Sequence, residues 1–176
     1  MPRTVIFLDI DGVLQPLRSQ KRFTHDLRQL QTELAQRFAN DAYLEMDCYD
    51  LGAVMYDWDA EAVERLRRLC VEASAEIVIS SAWRTYSPLS RLKDYFRLHD
   101  LDRYITGEIP LIPGKLRCGE IEEYVRQHPE IERFVILDDA HVRDFEERYP
   151  DHFVYCRPIL DDEGFRKAFR ILTGDA

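Results

Sequence analysis

The feature that most constrains this chain is a recurrence: short, unbroken apolar runs rich in Val, Ile and Phe, several ending abruptly in acidic or hydroxyl residues. Val5 to Leu8 leads into Asp9, Ile77 to Ile79 into Ser80, and Phe134 to Leu137 into Asp138, with Phe153 to Tyr155 reading as a fourth run. Runs of this length and β-branched content predict strands buried on both faces. Between and after them, apolar residues fall at helical spacing: Val63, Leu66, Leu69 and Cys70; Leu89, Leu92 and Phe96; Ile121, Tyr124 and Val125; Phe165, Ala168, Phe169 and Leu172. Strands alternating with helices predict an α/β fold with a parallel central sheet covered on both sides. Asp59 is expected to cap the helix running to about Val71, and Ser87-Pro88 to supply a cap followed by a proline at the first helical position.

The segment 15–56 departs from the alternation. Leu27, Leu30, Leu34 and Phe38 lie at helical spacing, and an aromatic and acidic stretch follows through Tyr43, Tyr49 and Tyr56. This reads as a small helical insertion over one end of the sheet, within one domain spanning 1–176. The chain's 45% hydrophobic residues are enough for a real core.

A net charge of −9 works against tracking a long polyanion, since proteins that follow phosphate backbones concentrate lysine and arginine, so no extended nucleic-acid surface is expected. The four cysteines, Cys48, Cys70, Cys118 and Cys156, form no CxxC pair, and the five histidines are dispersed, with His141 alone near a motif. Neither a disulfide framework nor a zinc centre is suggested. No run approaches the length of a membrane span, and Met1-Pro2-Arg3 enters the first apolar run without a signal-peptide pattern, so a cytoplasmic location is expected.

In an open parallel sheet, ligands bind beyond the carboxyl ends of the strands. Those ends carry Asp9-Ile10-Asp11-Gly12, Ser80-Ser81 and Asp138-Asp139. Paired aspartates are common in an acidic chain, and Asp57-Trp58-Asp59, Asp100-Leu101-Asp102 and Asp161-Asp162 act as internal controls. None of the three follows a strand-like run, and Asp161-Asp162 reads as a helix start, where acids suit the dipole. Context therefore singles out the strand-end acids. Phosphoryl transfer needs a nucleophile, charge neutralisation and a proton for the leaving group. Asp9 can attack phosphorus, Asp11 can act as general acid and then base, and Ser80, Ser81 and the backbone amides around Asp11 and Gly12 can bind phosphate oxygens. Clustered carboxylates repel unless a hard cation joins them, and Mg2+ suits an oxygen-only set of Asp9, Asp11, Asp138 and Asp139.

These motifs resemble those of the haloacid-dehalogenase (HAD) superfamily. Val5 to Leu14 is similar to its first motif, Ser80 to its second and Asp138-Asp139 to its fourth. The resemblance implies a three-layer Rossmann-like fold, Mg2+, the roles just given to Asp9 and Asp11, and the Asp11 carbonyl as a further metal ligand. Asp11 matters here, because the dehalogenases of the superfamily lack a second aspartate, and its presence favours phosphate chemistry. Ile77 to Arg84, Arg117 to Ile121 and Val135 to Asp139 further resemble the HAD domains of "Swiss Army knife" RNA-repair proteins, which points to a phosphorylated small molecule or a nucleic-acid end as substrate. The third motif of the superfamily is a lysine or arginine near a helix start. Both Lys115 and Arg117 qualify, and the Arg-x-x-Glu-Ile pattern favours Arg117.

Arg84, after the second motif, could grip substrate or pair with a buried carboxylate, and Trp83 could stack on a base or pack in the core. Arg18, Lys21 and Arg22, beside Phe23, could hold additional phosphate at the start of the insertion. The competing expectation is a non-catalytic HAD-like phosphate-binding or phosphoacceptor module. Receiver domains, however, place their acidic pair before the phosphorylated aspartate and the hydroxyl, the reverse of the order here.

Overall fold

The computed structural model describes residues 1–174. Its five strands are all parallel: β1 (Arg3–Leu8), β2 (Glu76–Ile79), β3 (Ile105–Glu108), β4 (Ile131–Asp138) and β5 (Phe153–Tyr155), in spatial order β3-β2-β1-β4-β5. The four predicted strands are present, and β3 is an additional edge strand. Because β1 is central, Leu8 lies level with Ile79 on one side and Leu137 on the other. The residues that follow these three positions therefore emerge together, and they are the acids and serines singled out above.

Eight α-helices lie among the described residues: α1 (Leu27–Phe38), α2 (Ala42–Glu45), α3 (Cys48–Gly52), α4 (Ala60–Glu72), α5 (Leu89–Arg97), α6 (Arg117–Gln127), α7 (Val142–Arg148) and α8 (Asp162–Thr173). Alternation along β1 divides the core in two. Ile6 and Leu8 face a large apolar cluster with α1, α4, α5 and α8, whereas Val5 and Phe7 face a second cluster with α6 and α7. The result is a three-layer, Rossmann-like α/β fold.

The local signals are met with one shift. Asp59 caps α4 through Glu61 N and Ala62 N, at 3.0 and 2.9 Å, and Asp161 caps α8 through Gly164 N. The expected start of α5 moves by one residue: Pro88 is the cap and Leu89 the first helical position, with the Pro88 carbonyl accepting Leu92 N. An extended Pro88, with ψ 159°, cannot itself be the first helical residue.

Segment 15–56 enters the larger cluster through Leu27, Leu30, Leu34, Tyr43 and Leu51. Its far end runs through a π-helical turn (Ala53–Asp57) into Trp58, which stacks on His99 and meets Phe96 edge-on. Among the described residues no helix is long and apolar enough to cross a membrane.

Candidate active site

At the end of β1 the chain reverses sharply: Gly12 N donates to the Gln15 carbonyl at 2.8 Å and Leu14 N to the Ile10 carbonyl at 2.9 Å. Gly12 adopts φ +75°, and a Cβ there would stand 2.3 Å from Asp139 Cγ. Glycine is thus required twice, by its dihedral angle and by the close approach of the second acidic pair. Its amide is occupied by the turn.

Asp9 is almost fully buried. Its Oδ1 accepts Ile10 N at 2.9 Å, and its Oδ2 lies 3.0 Å from Arg117 Nη1. The same Arg117 Nη1 is 2.5 Å from Asp138 Oδ2, while Asp138 Oδ1 accepts Ala140 N at 2.8 Å. Oxygens of Asp9, Asp138 and Asp139 all lie within 4.8 Å of one another. Burial, reinforced by the charge of Asp9, pushes the Asp138 and Asp139 carboxyls above the usual carboxylate range, and Arg117 opposes it. A cation at the first residue of α6 runs against the helix dipole. Two buried carboxylates offset that cost, and they explain why Arg117 points inward.

The two basic residues at the start of α6 differ in where they point. Lys115 is exposed, with its Nζ 3.9 Å from Glu123, and lies apart from the acids. Arg117 is among them.

Asp11 leaves the cluster to receive a different donor, Trp83 Nε1, at 3.0 Å from its Oδ2. Burial raises its pKa, and the indole bond partly counters that. Trp83 is itself buried, packed edge-on against Tyr95, so it serves both as core and as a hydrogen-bond donor to Asp11.

Ser80 is fully buried, and among the described residues its Oγ has no hydrogen-bond partner. A buried hydroxyl left unpaired at the end of β2 keeps a donor available for a bound anionic oxygen. Ser81, by contrast, caps the short 3-10 turn Ala82–Thr85 through Trp83 N.

Arg84 is turned away from the acids. Its Nη1 donates to the carbonyls of Ser80 and Ser81, at 2.5 and 2.8 Å, and its Nη2 pairs with Glu120. It braces the serine turn against α6, the role of partner to a buried carboxylate. Arg22 is likewise engaged, 3.2 Å from the buried Asp57 and bonded to the Tyr49 carbonyl. Lys21 begins a 3-10 turn (Lys21–Thr24) and is exposed, whereas Arg18 lines a groove with Arg157. Sequence reasoning passed over Glu120, visible only as the acid of Arg-x-x-Glu-Ile, and Arg157, which carries no motif.

The oxygen donors of Asp9, Asp138 and Asp139 suit a hard divalent cation, and the orphaned Ser80 hydroxyl suits an anionic oxygen nearby. No curated protein and no solved structure significantly matches the chain. A family model described as the HAD domain in Swiss Army Knife RNA repair proteins matches residues 5–167, from the first buried residue of β1 into α8, and the chain belongs to that family.

Proposed function

We propose that this protein is a Mg2+-dependent phosphohydrolase that cleaves phosphomonoesters through an aspartyl-phosphate on Asp9, with nucleotide or polynucleotide phosphate ends as its substrates. The observation that carries the reading is the division of labour between two aspartates one residue apart. Asp9 is clamped among carboxylates by Arg117, whereas Asp11 stands apart under a single indole donor with its pKa raised by burial. A carboxylate oriented by a guanidinium suits a nucleophile, and a carboxyl that holds its proton to higher pH suits a general acid.

Asp9 attacks phosphorus as the ester P–O bond breaks, and the departing oxygen takes the proton of Asp11. Water then attacks the acyl-phosphate, giving a proton back to Asp11, releasing inorganic phosphate and restoring the Asp9 carboxylate. Ser80 Oγ is placed to donate to a phosphoryl oxygen, and Arg117 orients Asp9 while neutralising charge. Asp9, Asp138 and Asp139, with the Asp11 carbonyl, would hold Mg2+, which acts as Lewis acid and template when bound. The RNA-repair description of the family supports the substrate class.

Phosphate release from p-nitrophenyl phosphate and from terminally phosphorylated oligonucleotides tests this reading. Purified protein with Mg2+ is expected to turn over, and Asp9→Asn and Asp11→Asn are each expected to lose at least about a hundredfold in kcat. Acid quench during turnover should trap phosphate on Asp9. Turnover by the Asp9→Asn variant at more than a tenth of the normal rate removes the nucleophile assignment. A stable phosphoprotein that never releases phosphate points instead to a regulatory phosphoacceptor.

A further inference from the structure

A groove of about 390 Å3 opens beside the acidic cluster, lined by Pro16, Leu17, Arg18, Arg157 and Pro158. Both of its walls issue directly from the site. Pro16 follows Gln15, whose carbonyl receives the Gly12 amide at 2.8 Å, and Arg157 follows Cys156, whose amide donates to the Asp138 carbonyl at 2.9 Å. The two chain segments thus leave opposite sides of the Gly12–Asp139 contact and bring one arginine each to the same opening. Both arginines are exposed, and among the described residues neither forms an ion pair, unlike Arg22, Arg84 and Arg117. Leu17 is exposed as well, 56% accessible, next to Pro16. Two guanidinium groups without a carboxylate ion pair, that of Arg157 lying beside the Tyr155 hydroxyl, form with the apolar rim a surface suited to an organic group that carries its own negative charge. The volume lies within the range of roughly 300–1,000 Å3 usual for small-ligand sites.

Building on the phosphohydrolase reading, we propose that Arg18 and Arg157 form a clamp for a second phosphate on the substrate, distal to the phosphoryl group that Asp9 attacks, with the intervening nucleoside resting against Leu17 and the prolines. The preferred substrate then carries two phosphates, whether as a nucleoside 3′,5′-bisphosphate or as a terminal phosphate followed by a phosphodiester. The sheet-end acids contact only the transferred group, so they cannot distinguish such a substrate from a plain monoester. The groove can. The opposing explanation is that the arginines merely offset nearby carboxylates. Burial raises the Asp139 carboxyl and the charge of Arg157 opposes it, so the guanidinium is close enough for that role too.

The two explanations separate by substrate. The expected result is that Arg18→Ala and Arg157→Ala lower kcat/KM for a nucleoside 3′,5′-bisphosphate, or for a dinucleotide with a terminal phosphate, at least about tenfold more than for the nucleoside monophosphate. Loss on the bisphosphate alone identifies a small-molecule substrate, and loss on the dinucleotide identifies a polynucleotide end. Equal loss on all three, or no differential loss, overturns the clamp. Calorimetric binding to the Asp9→Asn protein keeps the test independent of turnover. Tighter binding of a two-phosphate ligand than of the monophosphate, abolished in the Arg18→Ala/Arg157→Ala background, supports the clamp even if no ester is hydrolysed. Absence of that preference, or its survival in the double variant, overturns it even if hydrolysis is robust.

Discussion

Among the described residues, Trp83 Nε1 is the one group that donates a hydrogen bond to the Asp11 carboxyl, so the proton affinity of Asp11 can be tuned without touching the acids around Asp9. Burial raises the Asp11 pKa and the indole bond lowers it. A bond to the ionised form is lost in Trp83→Phe, so that variant should raise the pKa further. Leaving-group protonation requires the protonated acid and fails as pH rises through the Asp11 pKa. The basic limb of the kcat profile should therefore move to higher pH in Trp83→Phe, and an unchanged limb assigned to Asp11 would refute the tuning. Purely structural damage would lower the whole profile without displacing it. At this scale the sequence was informative wherever a residue directly follows a buried strand. Asp9, Ser80 and Asp138 could be read because apolar runs end there. The Arg-x-x-Glu-Ile pattern favoured Arg117 over Lys115, but the phase at which α6 starts, which turns Arg117 toward Asp9 and Asp138, is a matter to which sequence spacing is blind. Arg157 was illegible, because its place beside Arg18 follows from β4 and β5 being neighbours rather than from any local pattern.

Among the elements, the contact between the serine turn and α6 rests on one buried ion pair. Arg84 and Glu120 are both nearly inaccessible, and Arg84 also holds the Ser80 and Ser81 carbonyls while Glu120 Oε1 accepts Ile112 N at 2.9 Å. Removing one partner strands the other charge in a medium that cannot solvate it. Glu120→Ala should thus cost about 3–5 kcal/mol in urea unfolding. Replacing both residues by apolar ones of similar volume should cost less than the single change, and a double variant no better than Glu120→Ala would deny that the stranded charge is the cause. Outside segment 15–56, β3 and α7 escaped the sequence reading for physical reasons. In β3, Ile105-Thr106-Gly107-Glu108 alternates buried and accessible positions, and its interior glycine suits the close approach of Tyr124 Oη, 3.0 Å from where a Cβ would stand. It is an edge strand with a weak apolar signature. Helix α7 buries Phe145 alone among charged neighbours, so it lacks the repeated apolar spacing that marks a helix.

For the molecule as a whole, the parallel arrangement gathers three carboxylates around the single charge of Arg117, and the proposed metal site therefore ties Mg2+ to stability as well as to catalysis. EDTA should silence phosphate release and Mg2+ should restore it. Mg2+ should also raise Tm, by up to about 2.7 kcal/mol of linkage at a hundredfold excess over Kd, and raise it less in Asp139→Asn. Full activity in excess chelator, or a Tm indifferent to Mg2+ in the wild type, would reject the metal site. The layered α/β plan was legible because it depends on period and alternation, whereas the packing of segment 15–56 against α5 depends on pairings such as Tyr43 with the Asp94 carbonyl that no local pattern announces. The central position of β1 has a further consequence, in biosynthesis. Asp9 is made before both of its strand neighbours, which come from β2 and β4 further along the chain, and Asp138 closes β4. A nascent polypeptide therefore exposes the Asp9 carboxylate long before Asp138 can reach it, and the acidic cluster assembles in one late step, when β4 docks beside β1.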